Sequence, residues 1–254
     1  MPQRRKSSTP SNKEIEVKLR IADAESFLRQ LVRLGAKLTR PRVHEMNTLY
    51  DTPDGDLAKG GQIARVRVER SAPRDKSEPR AAHHGKSEGP AEAPVATLTY
   101  KGPAGSSGSG YKVREEHEVR VGNAQMLEAL CKMLGLRPWF RYEKYRSKYE
   151  LPGIKGVELD FDETPVGDYL ELEGTRVSID RAARRLGFSK GDYIVGSYGG
   201  LFMESLKIPG KGATINEPTP ELGLPDMLFR KQGASRKRIS NRSSNRKSSK
   251  IKKI

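Results

Sequence analysis

Between residues 14 and 173 the chain repeatedly alternates charged with aliphatic residues, the period of a β-strand whose two faces differ chemically. In Glu14-Ile15-Glu16-Val17-Lys18-Leu19-Arg20 every even position is charged and every odd one aliphatic. Arg65 and Arg67 alternate with Ala64, Val66 and Val68, and Thr97, Thr99 and Lys101 with Ala96, Leu98 and Tyr100. Lys112, Arg114, Glu116, Glu118 and Arg120 share one face, as do Tyr142, Lys144, Arg146 and Lys148. Glu158, Asp160 and Asp162 oppose Val157, Leu159 and Phe161, and Glu171 and Glu173 oppose Leu170 and Leu172. For one strand, a solvated outer face explains such a pattern. Here, however, the charges come as same-sign pairs two residues apart, such as Glu14 with Glu16 and Lys144 with Arg146. Such neighbours stand about 7 Å apart and repel unless opposite charge lies between them. The economical solution is a closed barrel with its charged faces inward and helices over the aliphatic outer faces, an α+β fold.

Three segments have the helical period. Asp23 to Leu34 aligns Phe27, Leu28, Leu31, Val32 and Leu34, and Asn123 to Leu134 aligns Met126, Leu127, Leu130, Met133 and Leu134. Ser178 to Gly187 carries Ile179, Ala182, Ala183 and Leu186. Each runs into Leu-Gly, the glycine suiting a left-handed C-cap, and each follows a strand containing Glu-x-Glu, a weak internal repeat. Segments 71–94, 104–110 and 210–225 are rich in Pro, Gly or Ser and read as mobile connections. The only cysteine, Cys131, forbids an internal disulfide and reads as a small buried residue on a helix.

The net charge of +16 has a local origin. Residues 1–13 hold four basic residues and residues 230–254 hold eleven, with no acid in either, and the remainder is nearly balanced at 33 basic against 32 acidic. The expected organisation is therefore a disordered basic N-terminus (1–13), one barrel domain (14–206) with insertion 71–94, and a linker with a disordered basic tail (207–254). Tail 230–254 lacks aromatic residues, so it suits weak contact with nucleic acid, polyphosphate or another anionic surface, with little sequence preference. No run of 18 apolar residues occurs, so no transmembrane helix is expected, and the N-terminus lacks the apolar stretch of a secretory signal; the expected location is cytoplasmic.

An inward lining of acids and bases calls for ligands of both signs. Paired carboxylates suit a hard divalent cation, Mg²⁺ or Mn²⁺, and the Lys and Arg residues suit a polyphosphate. The phosphate-binding loop of nucleotide hydrolases and the Gly-x-Ser-x-Gly elbow are both missing in a credible strand-to-helix context.

The order of motifs resembles the CYTH, or triphosphate tunnel metalloenzyme, superfamily, which includes class IV adenylate cyclases, thiamine triphosphatases and inorganic triphosphatases. The resemblance begins at Glu14-x-Glu16-x-Lys18 and continues through Asn47-Thr48-Leu49-Tyr50-Asp51-Thr52-Pro53, Arg65-x-Arg67 and Leu98-Thr99-Tyr100-Lys101-Gly102-Pro103. Arg114-x-Glu116-x-Glu118, Lys144-x-Arg146, Glu158-x-Asp160, Glu171-x-Glu173 and Ser197-Tyr198-x-x-Leu201 follow in family order. It implies an eight-stranded antiparallel tunnel holding a triphosphate and one or two metal ions. On this resemblance Lys18, Arg65, Arg67, Lys101, Arg114, Lys144 and Arg146 would clamp phosphate oxygens, and Glu14, Glu16, Asp160, Glu171 and Glu173 would hold metal. Glu116 and Glu118 either join that set or orient neighbouring basic residues, with Glu158 at its edge. Lys101 and Tyr50 match a pair proposed in some members to activate the nucleophile.

Two chemistries share such a clamp. Attack of a ribose 3′-hydroxyl on the α-phosphorus of ATP yields cyclic AMP and pyrophosphate, and the spelling of the motifs looks most like class IV adenylate cyclases. Attack of water on a terminal phosphorus makes the protein a triphosphatase for tripolyphosphate, thiamine triphosphate or a nucleotide. A passive polyphosphate or nucleic-acid receptor is a third reading, but an anion receptor gains nothing from carboxylates in its site.

Overall fold

The computed structural model describes residues 13–72, 95–105, 110–205 and 227–229. Eight antiparallel strands close into a barrel in the order β1-β5-β4-β3-β2-β6-β7-β8. In chain order they are β1 (Lys13–Ile21), β2 (Lys37–Asp51), β3 (Ile63–Ser71), β4 (Val95–Lys101), β5 (Lys112–Val121), β6 (Arg137–Glu150), β7 (Val157–Thr164) and β8 (Gly167–Gly174). The helices are α1 (Ala24–Arg33), α2 (Asp56–Lys59), α3 (Ala124–Met133), α4 (Arg176–Arg185) and α5 (Tyr198–Ser205). Among the described residues no helix is long and apolar enough to cross a membrane. The disorder expected of residues 1–13, the mobility expected of 71–94 and the loose linker and tail expected over 207–254 fall on segments outside the described residues, except at Lys13, Ser71, Ala72 and residues 227–229.

The alternation fixes which side of each strand meets the lumen, because one residue of slippage would turn every charge outward into the apolar shell. Register places Glu16 opposite Glu173 and Lys18 opposite Glu171 across β1 and β8, and Lys101 opposite Glu116 across β4 and β5. The complementary faces of β1, β7 and β8 carry Val17, Leu19, Leu159, Leu170 and Leu172, all fully buried under Phe27 and Leu31 of α1 and Ile179, Ala182 and Ala183 of α4. Burying each such leucine contributes about 2 kcal/mol. Asp23, Asn123 and Thr175 cap the amides at the starts of α1, α3 and α4, and Gly35, Gly135 and Gly187 follow their C-caps at positive φ.

Three features depart from expectation. Strand β2, the longest in the barrel, escaped the alternation because Pro41 interrupts it; register shifts between Leu38 and Val43 accommodate that residue. Helix α4 starts at Arg176, two residues before the expected start at Ser178, since Thr175 provides the cap. Helix α3 covers the barrel by a narrow edge, burying Leu127 and Cys131 against Tyr50 and Val66 while Met126, Leu130 and Met133 stay exposed. One face was expected to bury the entire stripe, but among the described residues α3 packs only on strands, whereas α1 also has α4 beside it.

Gly174 ends β8 at φ +155°, and a Cβ there would fall 2.1 Å from the carbonyl oxygen of Gly156 and 2.9 Å from Cα of Val157. Gly174→Ala should therefore cost at least ~2 kcal/mol in urea unfolding, because both obstacles are backbone.

Candidate active site in the barrel lumen

The charges inside the barrel form two tiers. The deeper tier is neutralised internally. Lys18 lies 3.0 Å from both Glu16 and Glu171, and Lys112 also pairs with Glu16. Arg146 grips Asp162 through Nε and Nη2, each at 2.6 Å, reaches Asp160 at 2.7 Å and meets Glu171. Lys144 lies 2.9 Å from Asp162 and 3.5 Å from Glu45. Below it lies an aromatic floor of Phe140, Tyr142, Tyr169 and Tyr198, with Tyr198 Oη donating to Asp162 at 2.7 Å and the ammoniums of Lys18 and Lys144 5.1 and 5.2 Å from its ring centre. Closing a buried layer this way is what burial of charge demands.

The upper tier surrounds an open cleft of about 520 Å³. Its lining is wholly ionic: basic Lys13, Arg65, Arg67, Lys101 and Lys148 face acidic Glu14, Glu116, Glu118, Glu158 and Glu173. Lys101 sits 2.7 Å from Glu14 and 2.8 Å from Glu116. Arg65 donates to Thr99 at 3.1 Å and to Glu118 at 3.3 Å, and its Nη1 lies 3.5 Å from Tyr142 Oη. Arg114 meets the Gly61 carbonyl at 3.2 Å. Nε of Arg65, Nε of Arg67, and Nε and Nη1 of Arg114 are buried without a hydrogen-bond partner, an expensive condition that acceptor oxygens of a ligand would relieve. A second pocket of about 600 Å³ adjoins the cleft at Lys13, Glu14 and Glu173 and contributes the apolar side chains of Ile15 and Val177.

All the residues expected to clamp phosphate lie on inward positions, but they separate by depth. Arg65, Arg67 and Lys101 line the cleft and Arg114 stands beside it, whereas Lys18, Lys144 and Arg146 are buried beneath, saturated by carboxylates. Of the expected metal carboxylates, Glu14 and Glu173 line the cleft with Glu116, Glu118 and Glu158, while Glu16, Asp160 and Glu171 lie deeper. Tyr50 does not join Lys101. On β2 the positions of Glu45 and Asn47 face inward, which turns Tyr50 out into the apolar cluster under α3, beside Val66, Leu127 and Cys131. Burial and then the nearby Glu128 raise its hydroxyl to about 12. Glu45 went unnoticed in the sequence, although Val43-His44-Glu45-Met46-Asn47 alternates; it is fully buried, between Lys144 and Arg146.

The electrostatics follow these positions. Burial lifts Glu14 to about 9, aided by its hydrogen bond with Glu116, while Glu116 is held at about 2 because that bond and Lys101 outweigh its own burial. The two carboxyls thus share one proton beside the Lys101 ammonium. Burial and then Arg65 push Lys101 down, but Glu14, Glu16 and Glu116 more than compensate, so its value is raised. At the rim, loss of hydration raises Glu173 to about 7, with Glu116, Glu158 and Glu16 adding repulsion.

Among the described residues no three carboxylates stand together as a preformed metal cage. The donors are nevertheless all oxygen, and Asp160 Oδ1 is buried without a partner. This suits a hard cation such as Mg²⁺, which commonly takes one or two protein carboxylates and completes its shell with water and phosphate. Glu14 and Glu173 are the cleft residues placed to hold it.

Glu45 yields a pH test. Burial pushes its carboxyl up, but Lys144, Arg146, Arg67 and Arg65 hold it at about 2. A depressed folded-state value contributes stability above the unfolded carboxylate range, lost as pH falls toward 2. Glu45→Gln should cost about 3 kcal/mol at neutral pH, and the gap from the unaltered chain should close between pH 4.5 and 2. A gap independent of pH in urea unfolding would assign the loss to packing.

Comparison with known proteins agrees with this architecture. A CYTH domain profile matches residues 12–198. A Methanocaldococcus jannaschii protein with a provisional adenylate cyclase name is 26% identical over 160 residues, covering 63% of this chain and 75% of that protein. A Pyrococcus horikoshii structure superposes with a TM-score of 0.55 at 24% identity, covering 76% of this chain and 99% of its own. A Hippeastrum protein provisionally named an adenylyl cyclase, and described as having a dominant triphosphatase activity, gives 0.50 at 20% identity, with 77% and 98% covered. The structural likenesses carry the fold, and the profile, which spans most of the chain, carries the family: this chain belongs to the CYTH family.

Proposed function

We propose that the protein is a metal-dependent enzyme that binds a triphosphate in the upper tier of the lumen and transfers its terminal phosphoryl group to water. The observation that carries this reading is the wholly ionic cleft with unpartnered guanidinium N–H groups on Arg65, Arg67 and Arg114. Planar guanidiniums offer paired donors matched to phosphate oxygens. Five basic side chains face five acidic ones there, with one proton shared by Glu14 and Glu116, so the small positive excess falls short of a triphosphate's charge unless cations enter with it. A divalent ion held by Glu14 and Glu173 would supply that charge and would polarise the transferring phosphoryl group.

In this reading Arg65, Arg67 and Arg114 bind and orient the phosphate chain, and Lys101, a fixed cation between Glu14 and Glu116, stabilises charge on the leaving oxygen. The saturated tier beneath acts as a rigid foundation. Lys18, Lys144 and Arg146 hold Glu16, Asp160, Asp162 and Glu171 in place and contribute field rather than direct contacts. Hydrolysis is preferred to cyclisation because, among the described residues, those lining the cleft are all charged and offer no aromatic or apolar side chain to an adenine ring. Cyclic AMP formation remains the second reading, favoured by the adjoining pocket, where Ile15 and Val177 would take a nucleoside.

Phosphorus NMR of the protein with Mg²⁺ or Mn²⁺ tests both. Orthophosphate from tripolyphosphate, abolished in Glu173→Gln, is the expected result; cyclic AMP and pyrophosphate from ATP would establish the cyclase instead. No turnover of either compound would leave a receptor. Arg65→Ala should raise KM for tripolyphosphate at least ~10-fold, and unchanged KM would remove Arg65 from the clamp.

A further inference from the structure

Strand β6 is longer than the neighbour it pairs with on one side. Its ladder with β7 spans only Tyr145 to Tyr149, so the backbone groups around Tyr142 on that edge lack a β7 partner. Residues 227–229 take the vacant place. Met227 N–H donates to the Arg141 carbonyl at 2.8 Å, and Glu143 N–H donates to the Met227 carbonyl at 3.0 Å, a parallel bridge with Tyr142 between the two bonds. Phe229 N–H donates to the Glu143 carboxylate, and the Phe229 ring packs on Tyr145 with centres 5.1 Å apart. Met227 is 1% exposed and completes the floor with Tyr142, Tyr169 and Tyr198, whereas Leu228 points outward at 46% exposure. The expectation of a purely loose linker and tail over 207–254 fails at these three residues.

The floor carries the clamp. Tyr142 Oη lies against Arg65, and Tyr198 lies under Lys18 and Lys144 with its hydroxyl on Asp162. We propose that Met227–Phe229 is a positioning strap: by fixing the Tyr142 segment of β6 it holds Arg65 in its anion-binding pose, so a segment outside the family-matched region sets affinity for the triphosphate. This rests on the triphosphate reading above. Met227 touches no substrate and acts through Tyr142.

The test uses the full chain and titrates tripolyphosphate by calorimetry, with unfolding midpoints measured in parallel. Met227→Ala should weaken binding about tenfold, Met227→Leu should restore it, and Leu228→Ser should change nothing. Tyr142→Phe, which removes the hydroxyl but leaves the strap, should reproduce the loss and covers the case in which Met227→Ala fails to fold. In the Arg65→Ala background Met227→Ala should add less than twofold, since the route through Arg65 is already gone. Affinity within twofold of the unaltered chain in both Met227→Ala and Tyr142→Phe, or losses that simply multiply with Arg65→Ala, would overturn the strap. Failure of the unaltered chain to bind tripolyphosphate would overturn the triphosphate reading and the strap with it.

Discussion

Charge buried inside a closed barrel must be neutralised by charge on another strand, and the rest of this structure answers to that requirement. Lys144 and Arg146 of β6 find Asp160 and Asp162 on the neighbouring β7, but Glu171 of β8 needs Lys18 of β1 and Arg146 of β6, and Glu16 of β1 also takes Lys112 of β5, so the lining is completed only across strands distant in the chain. The barrel must close for its lining to be tolerable. Once one strand has turned its charged face inward, each neighbour gains by doing the same. Register and closure are then consequences of electrostatics as much as of the hydrogen-bond ladder.

The same requirement separates foundation from working surface. In the deep tier each carboxylate has a cation within reach, although Asp160 Oδ1 and the two Glu45 oxygens lack a hydrogen bond, and the basic groups are occupied by these carboxylates. In the upper tier the pairing is incomplete: guanidinium N–H groups are orphaned, two carboxyls share a proton and a rim carboxyl titrates near neutrality. Incomplete satisfaction costs stability, and sites where it is concentrated are where binding free energy is available. Divalent ions fit as partners of the ligand more than as permanent residents.

Much of this was legible in the sequence because period-two alternation encodes facing directly. Seven strands and the inward parity of Lys18, Arg65 and Lys101 followed from it, and the resemblance to the family came separately from the order of the motifs. Depth was not legible: nothing local distinguishes Arg65, which faces the cleft, from Arg146, which is sealed by carboxylates, since depth depends on strand tilt around the barrel. Tyr50 was misplaced for a related reason. It lies in a recognisable motif, but β2 contains Pro41 and shifts register, so parity could not be carried along it. Glu45 was lost in the same strand. The strap was invisible because Asp226-Met227-Leu228-Phe229 is too short to have a period, and its role exists only where β7 stops early.

The aromatic floor has a kinetic meaning. Among the described residues Tyr142, Tyr169, Tyr198 and Met227 pack together beneath the deep tier, and the cleft opens at the ionic rim around Glu173 and Lys148. A product that leaves by this rim backs out along the path by which the starting compound came in, past the same guanidiniums. Arrival and departure are then mutually exclusive, and a short phosphate fragment lingering at the rim obstructs the next molecule. The tightness of the clamp is thereby bounded from above by the need to empty the tunnel.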